Sequence, residues 1–209
     1  DKRRAQVMAT IAPTDDSSDV PAILSTSRPD VIVVILESFS NHILPVTGGE
    51  PIAMCLDSIA RQGLTFTRFY ANSFRTDRGL TSIISGYPAQ PTTSILKYVE
   101  KAETLPSFPK SMKAAGYDSA YYYGGDADFT NMSAYLVSCG FEKIISDKDF
   151  ALSQKMSKWG ANDGDLVDRF LADYLAEKTT KPRLRIVQTS SSHEPFNVPY
   201  NRFSSRSNR

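Results

Sequence analysis

Val31-Ile32-Val33-Val34-Ile35-Leu36 is an unbroken apolar run held between Asp30 and Glu37. Its β-branching and shortness predict a strand. Its lack of alternation predicts a central parallel strand, covered by helices on both faces. Strand and helix patterns then alternate. Ile52 to Gln62 predicts a helix with Ile52, Cys55, Leu56 and Ile59 on one apolar stripe and Gly63 as its stop. Leu64 to Phe69 alternates apolar with hydroxyl or basic residues and predicts a half-buried strand. Gly79 to Ser85 is a short helical pattern closed by Gly86-Tyr87-Pro88, and Leu105 to Ala115 is helical up to Gly116. Tyr117 to Tyr123 predicts a strand ending in Gly124-Gly125, Asn131 to Cys139 a helix stopped by Gly140, and Lys143 to Ile145 a short strand. Asp165 to Glu177 carries Leu166, Phe170, Leu171, Tyr174 and Leu175 at helical spacing, and Leu184 to Gln188 predicts another buried strand.

Alternating helices and Val/Ile-rich strands predict an α/β fold, a mostly parallel central β-sheet sandwiched by helices. In such folds ligands bind beyond the carboxyl ends of the strands. Four segments follow strands: Glu37-Ser38-Phe39, the loop Tyr70 to Arg78, Gly124-Gly125-Asp126, and Ser190-Ser191-Ser192-His193.

Composition narrows the class. A 41% hydrophobic, 22% charged chain has the apolar content of a globular domain. The net charge of +1 offers no field for a nucleic acid. The longest apolar run is far shorter than the roughly 20 residues of a membrane helix. Cys55 and Cys139 have no metal-type spacing, and the expectation is that both are unpaired, each in an apolar helical stripe. Residues 1–29 predict a linker, with Pro13, Pro21 and Pro29 punctuating an acidic, hydroxyl-rich stretch. The absence of an initiating methionine and the polar end at Arg209 read as an excised piece of a longer protein.

Each candidate residue has two readings. Glu37 is the first charge after the apolar strand: a metal ligand, or a cap or partner for a nearby arginine. Thr76 opens a short helix. It is either the helix N-cap, like Asp77, or a hydroxyl nucleophile placed where backbone N–H groups favour negative charge. Asp126 binds a substrate hydroxyl or caps its turn. His193 follows a buried strand in a hydroxyl-rich loop; the other histidine, His42, has no such context.

Taken together, these blocks resemble a known family. The blocks are Glu37-Ser38-Phe39, Phe69-Tyr70-Ala71-Asn72, Thr76 with Gly79 and Thr81, Gly86-Tyr87-Pro88, Gly116-Tyr117, Gly125-Asp126, Gly140-Phe141-Glu142-Lys143 and Ser192-His193-Glu194-Pro195-Phe196. From about Pro29 to Tyr200 the chain resembles the catalytic domain of lipoteichoic acid synthases and phosphoglycerol transferases, within the alkaline phosphatase and sulfatase superfamily. The resemblance implies a sulfatase-like domain over 30–209, incomplete at its C-terminus. It implies Glu37 and Thr76 as metal ligands, Thr76 as nucleophile, and Asp126 and His193 in the substrate pocket. The cofactor implied is a divalent metal, manganese first, with Mg2+, Zn2+ and Ca2+ as alternatives.

The activity implied is transfer of a phospholipid headgroup through a phospho-threonine to an acceptor hydroxyl, at the outer face of a membrane. The anchor lies outside this chain. Two alternatives stand beside it: a hydrolase of sulfate or phosphate monoesters, and a non-catalytic binding domain of the same fold. The family's Trp-Asn-Arg segment is Thr130-Asn131-Met132 here, and no formylglycine signature surrounds Arg75-Thr76-Asp77-Arg78. The family's Asp-His metal pair falls beyond Arg209, so the 209-residue piece alone is expected to be inactive.

Overall fold

A computed structural model describes Lys2 and residues 23–199. The linker expected over 1–29 lies mostly outside the described residues. In chain order the main elements are β1 (Val31–Ile35), α1 (Met54–Gln62), α2 (Thr76–Ser85), α3 (Val99–Ala102) and α4 (Phe108–Ala114). They continue with β2 (Asp118–Tyr123), α5 (Met132–Ser138), β3 (Lys143–Ile145), α6 (Asp163–Ala176) and β4 (Arg183–Gln188). The four strands form one parallel sheet in the order β1-β4-β2-β3. The α/β expectation holds.

The sheet has a core on each face. On one, Tyr121, Leu184 and Ile186 pack with Leu80 and Ile84 of α2 and with Tyr135 and Leu136 of α5. On the other, Ala120, Tyr122 and Val187 pack under Leu166 and Phe170 of α6. Strand alternation sorts the residues between the two layers. Local chemistry sets the helix ends. Ser107 caps α4 by accepting from the Lys110 N–H, with Pro109 in the first turn. Asn162 caps α6 by accepting from the N–H groups of Gly164 and Asp165. Gly86 closes α2 in the left-handed conformation at φ 62°.

Three expectations are corrected. β1 is not a central strand covered on both faces. Among the described residues it sits at the edge, paired with β4 alone. Val31, Val33 and Ile35 pack on the α2 side. Ile32 and Val34 lie on the α6 face, 45% and 55% exposed, because α6 covers β4 and β2 and stops short of β1. Leu64 to Phe69 is not a strand. The segment is exposed throughout, and an alternating pattern without a neighbour to pair with makes no ladder. The stripe expected on α1 is not buried either: Ile52, Cys55 and Ile59 are exposed, so Cys55 packs in no apolar stripe. The helix turns Asp57 inward, where it accepts from the Val46 N–H at 2.6 Å and from Arg61 Nε at 2.8 Å. Those two bonds satisfy a carboxylate that would otherwise be costly to bury.

Charge is managed at the amino end of the sheet, opposite the strand ends that carry the candidate residues. Arg185, 1% exposed, bonds Asp118 at 3.0 Å and Glu177 at 2.6 Å. Asp30 accepts from Arg183 Nη2 at 2.6 Å and from the Tyr174 hydroxyl at 2.7 Å. Burial works against ionising Asp30, but these bonds outweigh it and hold its pKa down to about 2. A folded pKa below the unfolded value contributes stability above the unfolded pKa and loses it as pH falls through the folded one. The Asp30 contribution is therefore expected to be intact above about pH 4 and to disappear toward pH 2. Thermal unfolding of wild type and Asp30→Asn between about pH 6 and about pH 2 checks this. The two melting temperatures should converge as the pH falls; a constant gap contradicts the assignment.

Candidate active site

The carboxyl edge of the sheet gathers the candidate residues. β1 ends at Ile35, whose carbonyl accepts from the Thr189 N–H at 3.0 Å, just past β4. The Thr189 hydroxyl in turn accepts from the Glu37 N–H at 2.9 Å. The β1–β4 pairing is thus continued through a side chain, and Glu37 is held beyond the sheet. Ser38 then turns the chain at φ 51°, a left-handed conformation that costs a non-glycine residue energy and is common where a site dictates the backbone.

Thr76 is the first residue of α2. The position before it, Arg75, has cap geometry but makes no side-chain cap bond. The Thr76 hydroxyl does not cap the helix. It donates to the Glu37 carboxylate, 3.0 Å from each oxygen, across 39 residues of sequence. The cap reading of Thr76 is therefore set aside.

Between these elements lies a cavity of about 350 Å³. Glu37, Thr76 and Asp77 form one end; Asp126, Phe129, Thr130 and Met132 form the loop side; Trp159, Ser190 and His193 complete the rim. All four site residues expected from sequence line this one cavity. His42 does not, and is exposed. Asp126 takes the turn-capping role and also borders the cavity: its Oδ1 accepts from the Asp128 N–H at 2.8 Å. Thr130 and Asn131 both have positive φ, at 57° and 59°, beside the cavity-lining Phe129 and Met132. His193 Nδ1 lies 2.9 Å from the carbonyl of Glu194. A carbonyl only accepts, so this bond places the proton on Nδ1 and leaves Nε2 as the ring's second nitrogen.

Tyr123 and Trp159 were not anticipated, and Ser190 was named only within its post-strand segment. Burial, followed by the nearby Glu37 and Asp126 carboxylates, pushes the Tyr123 phenol up to about 12, so at neutral pH it is a hydrogen-bond donor. The Ser190 hydroxyl is buried at the cavity with no partner among the described residues. Trp159 arrives through close backbone packing. The Ala161 N–H donates to the Gly124 carbonyl at 2.8 Å, and a Cβ on Gly124 would stand 2.5 Å from the Ala161 oxygen. Only glycine permits that approach. The signal available in the sequence was a single tryptophan followed by glycine in an otherwise unpatterned stretch.

Glu37 and Thr76 present converging oxygen donors, the ligand type that hard divalent cations take. Among the described residues no three His, Cys, Asp or Glu side chains form a metal-holding group, so the pair fits part of a coordination shell.

The sulfatase family model matches residues 29–208. The chain belongs to the sulfatase family. It is 26% identical over 176 residues to lipoteichoic acid synthase 2 of Bacillus subtilis (strain 168), an alignment covering 81% of this chain and 26% of that protein. Among solved structures, it matches an alkaline phosphatase superfamily protein from Vibrio parahaemolyticus with a TM-score of 0.77 and 28% identity, covering 86% of this chain and 44% of that one. The lipoteichoic acid synthase LtaP of Listeria monocytogenes shares the fold, with a TM-score of 0.70 at 19% identity, covering 83% of this chain and 43% of that one. The chain thus spans about a quarter of the curated relative and less than half of these solved structures.

Proposed function

We propose that this chain is the N-terminal part, over 30–209, of a catalytic domain that moves a phospholipid headgroup to an acceptor hydroxyl through a covalent phospho-threonine at Thr76. The observation that carries the reading is the Thr76 hydroxyl. It sits at the start of α2 without capping it, and instead donates to both Glu37 oxygens on a cavity wall. That is the arrangement of a held nucleophile: the carboxylate fixes Oγ1, and the helix start supplies partial positive charge for an incoming phosphate.

A divalent cation held by Glu37 and Thr76, with its other ligands supplied beyond Arg209, would lower the pKa of the hydroxyl and neutralise phosphate oxygens. Manganese is the first choice. The chain's own residues do the rest. Thr76 Oγ1 forms the new bond to phosphorus as the bond to the lipid's ester oxygen breaks, and the hydroxyl proton, given up along the bond to Glu37, ends on the departing lipid hydroxyl. An acceptor hydroxyl then attacks the phosphorus, its oxygen bonding as the Oγ1–phosphorus bond breaks, and its proton returns to Thr76 to restore the hydroxyl. Asp126 and His193 on the cavity wall bind the headgroup, with the neutral Tyr123 phenol as a further donor. The substrate places the site at the extracytoplasmic face of a membrane. The anchor is proposed to lie outside this chain; among the described residues no helix is long and apolar enough to cross a membrane.

One observation favours the second reading, a hydrolase of phosphate or sulfate monoesters. Thr130 and Met132 line the loop side of the cavity where the family's guanidinium would grip a phosphate, and neither offers a bidentate donor. Product analysis separates the readings. Full-length protein is incubated with vesicles of headgroup-labelled phosphatidylglycerol and quenched early. Label on the peptide containing Thr76, and later on an acceptor hydroxyl, is the expected result. Label released only to water supports the hydrolase. Turnover without any label on Thr76 overturns the covalent route.

A further inference from the structure

We infer that Trp159 and Asp163 are positioning residues that hold the His193 imidazole at the cavity; the inference rests on the proposed reading of that cavity as the active site. The loop bearing His193 is secured to the approach and first turn of α6 by two independent sets of contacts.

The first set is at the ring. The Trp159 indole lies 4.3 Å from the His193 imidazole, centroid to centroid, tilted by 52°. Its Nε1 donates to the Glu194 carbonyl at 2.7 Å. That same carbonyl takes the His193 Nδ1 bond at 2.9 Å. One acceptor therefore binds both rings and limits rotation of the imidazole. The second set lies at the base of the loop. Asp163 Oδ1 accepts from the Ser190 N–H at 2.7 Å and from the Ser191 N–H at 3.1 Å. The Ser191 hydroxyl accepts from the Asp163 N–H at 2.9 Å, so the contact is reciprocal. The Ser190 carbonyl then accepts from the His193 N–H at 3.0 Å, carrying the constraint to the histidine itself.

The segment also reaches the other loop of the site. The Ser157–Gly160 turn is closed by backbone bonds of 3.3 and 3.2 Å, and Ala161 bonds Gly124, two residues before Asp126. Tryptophan thereby braces the histidine from a turn fastened to the loop that bears Asp126. Truncating the indole frees a ring whose useful position is narrow. A displacement of about 1 Å at a reacting group costs up to roughly 100-fold in rate.

The test uses the full-length protein and has one arm that needs no turnover. Diethyl pyrocarbonate labelling of His193 is followed by peptide mass spectrometry, with exposed His42 as the internal reference. Trp159→Leu and Asp163→Ala should each raise the His193-to-His42 rate ratio at least about threefold as the loop loosens. Trp159→Phe, which keeps a ring, should change it less. Circular dichroism and thermal unfolding identify any variant that has lost its fold, and Asp163→Asn then replaces Asp163→Ala. An unchanged ratio in the folded variants overturns the inference.

The second arm measures cleavage of bis(4-nitrophenyl) phosphate. Trp159→Leu and His193→Ala should each lower kcat/KM, and the double variant should fall no further than His193→Ala alone, because the tryptophan acts through the histidine. Additive losses overturn the inference. If wild type itself shows no turnover, the functional reading fails while the labelling arm still decides whether Trp159 and Asp163 hold His193.

Discussion

Thr76→Ala in the full-length protein is expected to abolish turnover, by about 1,000-fold or more, while leaving the fold intact. The hydroxyl donates to the Glu37 carboxylate, at 3.0 Å from each oxygen. Removing it deletes the proposed nucleophile. It deletes little else. Thr76 makes no cap bond, so α2 keeps its N-terminus as it stands. The lost contact is one partly buried hydrogen bond to a carboxylate that water can reach, a cost of about 1 kcal/mol. Thr76→Ser retains the oxygen and should keep part of the activity. Steady-state turnover of labelled phosphatidylglycerol, read beside thermal unfolding, checks all three statements. Wild-type rates in a folded Thr76→Ala enzyme would remove the central residue of the proposal.

Glu37→Gln should remove activity together with metal binding. Glutamine preserves the size of the side chain and an acceptor oxygen for Thr76, but not the negative charge that a divalent cation requires. Partners that merely hydrogen-bond to a metal ligand already cost 10- to 100-fold in affinity when mutated, so loss of a direct ligand should cost at least about 100-fold. Metal content by inductively coupled plasma mass spectrometry, with titration of Mn2+ into chelated protein, gives the affinity independently of any assay. A Glu37→Gln protein that binds Mn2+ like wild type and turns over normally would reduce Glu37 to a partner for the Thr76 hydroxyl.

Much of the fold was legible because strands and helices are built from near neighbours. The β-branched run at β1, the spaced Leu166 and Phe170 of α6 and the glycine stop after α5 each report on their own segment. The errors came where burial depends on distant chain. Ile32 and Val34 read as core, yet among the described residues no helix reaches that face of β1. Ile52 and Ile59 read as the inner stripe of α1, yet it is Asp57 that turns inward, because Val46 and Arg61 satisfy it. A hydrophobic period tells which side chains would bury together. It does not tell whether anything arrives to cover them.

The same division runs through the site. Sequence order alone placed Glu37, Asp126 and His193 just after strands and Thr76 at a helix start, since each follows from local pattern. That they share one cavity follows from the strand order, which sets β4 between β1 and β2 and so carries His193 and Ser190 to the space between Glu37 and Asp126. Whether Thr76 caps its own helix or reaches Glu37 could not be read from its neighbours, because both outcomes begin from the same residue at the same position. The contact spans 39 residues and exists only once β1 and α2 are packed. Trp159 is the extreme case. Its segment has no periodicity to read, and its place against His193 is set by a close backbone approach between Gly124 and Ala161. Local pattern determined which elements form and which residues stand at their ends; through-space packing alone decided which of those residues meet.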